Sequence, residues 1–359
     1  MESGKASQPA VPPRAGPSPP GARPLLPVAA SLVTVLLWAS AFVAIRHVGR
    51  DFSAGPLALG RLLVGSAVLG AVVALRAASS LAGRRRLRSR RRLPTGRQPR
   101  SGWQWPSRRQ WPPLVFYGLL WFGVYNVALN AGEHRVDAGT AAMIANIGPL
   151  LLAVLAGLLL GEGFPRRLIA GSLIAFAGVV VIGLATSSRS SADTWGVVLC
   201  VLAAVAYAVA VVAQKPLLAH LPALQVTWLA CAVGAVGCLP FLPGLIREAA
   251  AASPQAIGWV AYLGALPTAL AFTTWAYALS RTSAGRLGST IYLVPPLTIV
   301  MGWGLLGETP APLAFAGGAL CLGGVYLARR APAASGKAPP RPGREAGAVA
   351  AAGDRESVS

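Results

Sequence analysis

Displaced by 146 positions, the segment from Phe116 to Gly183 falls without a gap on Tyr262 to Arg329. Ala138 and Gly139 then match Ala284 and Gly285, Pro149 matches Pro295, and Leu159-Leu160-Gly161-Glu162 matches Leu305-Leu306-Gly307-Glu308. Gly171 falls on Gly317, and Gly178-Val179 on Gly324-Val325. The shared positions are mainly residues with special backbone roles, which unrelated apolar helices have no reason to hold in common. The two copies start five hydrophobic spans apart. A copy displaced by an odd number of spans crosses a bilayer upside down, so the chain is expected to be an inverted repeat, the architecture through which many secondary transporters alternate access.

Composition agrees with a membrane setting. The chain is 54% hydrophobic and 12% charged, with a mean hydropathy of +0.58, whereas soluble domains carry about 25% charged residues. Crossing the hydrocarbon core takes roughly 20 apolar residues. Ten segments qualify, at about 26–46, 54–75, 112–131, 138–160, 165–185, 195–214, 223–245, 257–279, 285–307 and 310–328. None alternates in polarity as a barrel strand would, so the expected fold is all-α, a polytopic bundle of ten helices in two inverted five-helix repeats. The repeats are placed at 25–185 and 186–330, between Pro/Gly/Ala-rich tails at 1–24 and 331–359 that are expected to be disordered. Span one is too long for a signal-peptide core and no small-residue cleavage site follows it, so it is read as a retained helix. Cys200, Cys231, Cys238 and Cys321 all fall inside spans, with no CxxC spacing and no link to His47, His134 or His220. No phosphate loop or dinucleotide fingerprint is present, so no cofactor and no metal are expected.

The net charge of +21 is distributed unevenly. Twelve of the 32 basic residues lie between spans two and three, among them Arg84-Arg85-Arg86 and Arg90-Arg91-Arg92. With both termini in the cytoplasm, 26 basic residues fall on the cytoplasmic side and 5 on the outer side, as the positive-inside rule requires. The chain is therefore expected in the plasma membrane, multi-pass, with both termini inside. The Arg-rich loop at 77–111, ending in Trp103, Trp105 and Trp111, is read as resting on anionic lipid headgroups and not on nucleic acid.

Prolines mark a pathway. Pro149 sits halfway along span four, and Pro295-Pro296 lies at the equivalent depth of span nine. Each proline frees the carbonyl four residues earlier: Ala145 in span four, Ile291 and Tyr292 in span nine. Broken backbone at membrane depth is expected to face protein or a water-filled cavity. Polar and aromatic residues gather in the same layer: Trp38, Ser40 and Phe42 in span one; Trp121, Tyr125, Asn126 and Asn130 in span three; Asn146 in span four. Thr273, Thr274 and Trp275 in span eight join them, with Ser289, Thr290 and Tyr292 in span nine. Such a lining suits a small polar or zwitterionic solute. Arg61, about two turns into span two, is the deepest ionised group, and intramembrane charge is a functional candidate by default. Glu162 and Glu308 are read as helix-end anchors, and no Asp or Glu is expected in mid-membrane.

The run Trp38-Ala-Ser-Ala-Phe-Val-Ala-Ile-Arg46, the group Pro56, Leu57 and Arg61, and the repeated A-G…P…L-L-G-E…G…G-V pattern resemble EamA-type domains of the drug/metabolite transporter superfamily. The resemblance covers residues 26–330. It implies a ten-helix carrier with a central cavity lined by spans one to four and six to nine, with spans five and ten outside. Carried onto this sequence, it places Trp38, Ser40, Arg61, Tyr125, Asn126, Asn146, Trp275, Thr290 and Tyr292 near the cavity, beside Pro149 and Pro295. The Arg-rich loop has no counterpart in the family, and span one lacks the glutamate kept by small multidrug-resistance relatives. The expected function is export of a small neutral, zwitterionic or anionic metabolite such as an amino acid, without enzymatic chemistry; a homodimer is compatible with the sequence. Two alternatives are a flippase for a lipid-linked intermediate, which needs a basic lateral opening, and an intramembrane transferase, which needs an acidic or histidine pair in mid-span.

Overall fold

Lipid offers no partner to a bare N–H or C=O, so each apolar segment must close its own backbone hydrogen bonds as helix. The computed structural model describes residues 25–88, 105–136, 138–186, 193–306 and 311–330. Eight helices are long and apolar enough to cross a membrane: Leu25–Ile45, Ala54–Ser79, Trp111–Glu133, Arg166–Ala185, Thr194–Leu218, Pro254–Leu279, Ala284–Gly304 and Pro312–Arg329. A ninth segment is the pair Ala223–Gly237 and Leu239–Ala251, bent by 52° at Cys238. Pro240 follows that bend and removes a helical donor there. Span four is the tenth, and it is broken: Ala138–Ala145, then Gly148–Leu159. No strand occurs among the described residues.

Two boundaries depart from expectation. Span two continues as helix to Arg88, so the segment expected as a loop from residue 77 starts as helix. Residues 89–104 of the Arg-rich loop and both tails lie outside the described residues, as does Glu308.

The inversion is visible where span five meets span ten. A Cβ on Gly171 would lie 2.5 Å from the carbonyl oxygen of Gly324, and one on Gly178 would lie 2.5 Å from that of Gly317. Gly317 and Gly324 are the repeat counterparts of Gly171 and Gly178, so each glycine faces the counterpart of the other. This is the self-complementary pairing that a two-fold axis generates. On the axis itself a residue must touch its own counterpart, and the Cys321 thiol reaches the carbonyl oxygen of Ala175, 146 residues earlier, at 3.4 Å. The two helices thus run antiparallel at backbone contact, which only small residues allow.

Spans three and eight repeat a subtler feature. Each carries a π-helical stretch, Gly118–Tyr125 and Gly264–Leu270, starting 146 residues apart. Gly118 opens the first against span seven, where a Cβ would lie 2.8 Å from the carbonyl oxygen of Ala230. Gly264 opens the second against span two, 2.8 Å from that of Arg61. Widened turns of this kind re-phase a helix and recur at functional sites.

Adjacent glycines in span ten provide a test of the axis. Gly324→Ala places a Cβ 2.4 Å from the amide nitrogen of Ala175, whereas Gly323→Ala meets nothing within 4 Å. Thermal melting in detergent is expected to fall by several degrees for Gly324→Ala. Gly323→Ala should hold or rise, because alanine is the better helix former by about 1 kcal/mol.

Candidate functional site

The breaks predicted from the prolines are both present. Span four turns at Asn146-Ile147 before Pro149, and span nine tightens to a 3₁₀ stretch, Ser289–Leu293, before Pro295. Ala145 and Ile291, counterparts whose carbonyls the prolines free, both line one cavity. Its wider part, about 430 Å³, runs between Asn146, Pro295 and Thr298 and reaches the surface at Gly49, Arg50 and His134. A recess of about 100 Å³ continues inward past Arg61, Tyr125, Pro149 and Tyr207. The end of the molecule carrying Arg50 is therefore open, and is called the Arg50 face below.

Arg61 forms one wall and is 6% exposed. Its Nε donates to Thr268 Oγ1 at 3.0 Å, and that hydroxyl donates in turn to the carbonyl oxygen of Leu263, five residues earlier, at 2.8 Å. The π-widened turn supplies the geometry, because a carbonyl five residues back becomes reachable by a short side chain. Asn126 uses the matching turn of span three: its Nδ2 donates to the carbonyl oxygens of Trp121 (2.9 Å) and Phe122 (3.1 Å). Glu133, at the end of span three, lines the same recess as Arg61, so the cavity holds both signs of charge.

Aromatic rings make the floor. Trp38 packs on Trp275 and Phe272 with centroids 5.2 and 5.3 Å apart. Trp121 meets Phe272 at 5.1 Å and Tyr207 at 5.6 Å, mostly edge to face, the arrangement favoured by the ring quadrupoles. The Trp38 indole donates to the carbonyl oxygen of Pro267 at 3.3 Å, inside the second π-helix.

Below the floor the molecule is shut. The second half of span four packs on the first half of span nine, with a Cβ on Gly288 meeting Leu152 at 2.7 Å and one on Gly285 meeting Ala153 at 3.6 Å. Glu162 stands between Gly161 and Gly163, both at positive φ (67° and 68°), a conformation other residues resist. This turns its carboxylate onto the start of span nine, where it accepts from the Ala284 N–H (2.6 Å) and the Gly285 N–H (3.1 Å). From span six, Lys215 Nζ donates to the carbonyl oxygens of Leu279 (2.6 Å) and Thr282 at the end of span eight. An anion thus caps a helix start and a cation a helix end, each matching the local dipole. The turn joining spans eight and nine is clamped from both sides on what is called the Lys215 face.

Of the residues singled out in the sequence, Trp38, Arg61, Tyr125, Asn126, Asn146, Pro149 and Pro295 border the cavity. Trp275 is fully buried directly beneath Trp38. Ser40 lies aside from the lining, bonded to the Tyr262 hydroxyl at 2.6 Å. Thr290 bonds the carbonyl oxygen of Leu287 (2.6 Å), and Tyr292 packs among Ala175, Val179 and Cys321 near the axis. Val179, Ile182 and Gly183 of span five, which the resemblance placed outside the cavity, also border it, and Glu133 and Tyr207 are among the lining residues not singled out. Glu133 follows Asn126 and Asn130 at helical spacing but sits just past the predicted end of span three. Tyr207-Ala-Val-Ala-Val-Val-Ala-Gln-Lys215 aligns with Trp38-Ala-Ser-Ala-Phe-Val-Ala-Ile-Arg46, a match at a different offset that pairs Tyr207 with Trp38.

Thr268→Val should leave the Arg61 Nε buried without an acceptor, a loss of about 1.5–3 kcal/mol for a bond to a charged group. The expected result is a lower melting temperature and a several-fold higher KM for the transported solute, read by thermal shift and by transport in proteoliposomes.

The model of the EamA-like transporter family matches residues 94–184 and 194–330. A "Probable terminal-alkyne amino-acid exporter" of Streptantibioticus cattleyicolor is 38% identical over 303 residues, covering 84% of this chain and 92% of the relative. A "Probable amino-acid metabolite efflux pump" of Salmonella typhimurium is 26% identical, covering 60% of this chain and 75% of that one. A solved crystal structure superimposes with a TM-score of 0.67 at 22% identity, covering 86% of this chain and 97% of its own, and so shares the fold. The twice-matched family model, the inverted bundle of apolar helices and its proline-broken spans make this chain a multi-pass membrane transporter of the EamA-like family.

Proposed function

We propose that the protein exports a small amino acid or a close zwitterionic relative by alternating access, and that the conformation described here faces outward. The observation that carries this reading is the pairing of Arg61 with an aromatic floor in a cavity open at one face only. A planar guanidinium held by Thr268 is set to take a carboxylate through two parallel hydrogen bonds. Glu133 gives the recess a negative pole for an ammonium group, and the rings below suit an apolar side chain. The volume of about 430 Å³ fits a solute of amino-acid size and is too small for a lipid-linked intermediate, which counts against a flippase. The names of the two exporter relatives point the same way.

The basic asymmetry along the chain supports the Lys215 face as cytoplasmic and the Arg50 face as outer. An outward-facing conformation with its inner gate latched is one end of an export cycle.

Two experiments bear on this reading. In proteoliposomes loaded with propargylglycine, leucine or phenylalanine, Arg61→Ala is expected to lower transport at least tenfold while the protein remains folded by size exclusion. Arg61→Lys should recover only part of the rate, since an ammonium cannot reproduce the bidentate contact. Transport of lipophilic cations, or a wild-type rate for Arg61→Ala, would contradict the proposal. Reporter fusions at residues 95 and 335 should both report the cytoplasm; a fusion at 95 reporting the outer side would reverse the assigned direction.

A further inference from the structure

Several polar atoms in and beneath the aromatic floor have no protein partner. Among the described residues, the Tyr207 hydroxyl, the Gln214 Oε1 and the Trp275 Nε1 are buried and make no hydrogen bond. Gln214 is fully buried and held at its other end by Nε2 donating to the Tyr117 hydroxyl at 2.8 Å. Tyr207 is 5% exposed and Trp275 is not exposed at all, with their rings 6.4 Å apart. Native structures leave few such atoms, and each unmet one is destabilising where it stands.

Their positions form a line. On span six, Tyr207, Val211, Gln214 and Lys215 follow one another at i, i+4, i+7 and i+8, so they share one helix face. On span eight, Trp275 stands one turn before Leu279, whose carbonyl oxygen Lys215 holds. The unmet groups therefore extend from the floor of the open cavity to the clamp made by Lys215 and Glu162. Tyr207 also abuts both broken spans: a Cβ on Gly148 would lie 2.8 Å from its ring, and one on Gly288 would lie 3.8 Å from its hydroxyl.

We infer that Tyr207, Gln214 and Trp275 form a second solute subsite on the inner half of the route, closed in this conformation, and that the Glu162–Lys215 clamp on the turn at 280–283 keeps it closed. The chemistry fits a zwitterion: the tyrosine and indole donors suit a carboxylate, and the amide oxygen accepts from an ammonium. Opening requires that the turn leave its two charged partners, which breaks four hydrogen bonds, and that span nine part from span four. The gate rests on the alternating-access reading alone, and the subsite rests also on the proposed zwitterionic solute.

The test uses full-length protein in proteoliposomes with Cys200→Ala, Cys231→Ala, Cys238→Ala and Cys321→Ala, probed with a membrane-impermeant maleimide. Val211→Cys reports the closed half and Ile45→Cys the open mouth. With the clamp intact, Ile45→Cys should label quickly and Val211→Cys slowly. Adding Lys215→Gln or Glu162→Gln should speed labelling of Val211→Cys at least tenfold and slow that of Ile45→Cys, as a shift of population demands. Unchanged Val211→Cys labelling in clamp variants whose Ile45→Cys still reacts overturns the inference, whatever the solute. A second measurement guards against misfolding. Tyr207→Phe deletes only an unbonded hydroxyl, so its melting temperature should stay level or rise while propargylglycine transport falls about tenfold. A fall in melting temperature with transport kept would show a purely structural hydroxyl and overturn the subsite.

Discussion

Everything in this fold is arranged around the place where span five touches span ten. Four glycines bring the two backbones to a distance at which a single added Cβ would collide with a carbonyl oxygen. Without a hydrophobic driving force between helices in lipid, such close packing is what holds them together. Because the contact pairs each residue with the counterpart of its neighbour, it also sets where the two-fold axis lies. The broken spans and the widened turns then follow as features present once in each orientation.

The two halves are alike in chain but not in arrangement. On the Lys215 face, span nine begins against the second half of span four; on the Arg50 face, a cavity separates the equivalent pieces. Under the proposed alternating access, the two repeats would exchange these roles in a second arrangement. The proline breaks matter here, because halves of a span that share no continuous hydrogen-bond ladder can tilt separately. Arg61, by contrast, is tied through Thr268 to the π-helical part of span eight, which couples the charged anchor to that helix.

The inverted bundle was legible because its signals are periodic and redundant: apolar segments of bilayer length and glycines and prolines recurring at a constant offset. Breaks at Pro149 and Pro295 were legible for the same reason, since a missing donor acts locally. What could not be read depended on rotation about helix axes. Tyr292 looked equivalent to Asn146 by register, yet it turns toward spans five and ten while Asn146 borders the cavity, because the 3₁₀ stretch at Ser289–Leu293 rewinds span nine. The π-helices leave no mark in hydropathy, and they decide which faces of spans three and eight turn inward. Glu133 escaped notice because a helix end was placed by apolarity, whereas the helix continues as long as its backbone bonds do. Glu162, expected as a helix-end anchor of its own span, caps the start of another.

The contact between Ala175 and Cys321 has a consequence for how the two copies drift apart. Off the axis, a residue and its counterpart occupy separate environments, and each is free to specialise, as Trp38 and Tyr207 have done. On the axis they occupy one shared volume, so a larger side chain in one copy has to be matched by a smaller one in the other. Divergence there is a joint event, and the mark of the duplication is plainest in the pair of helices whose backbones touch.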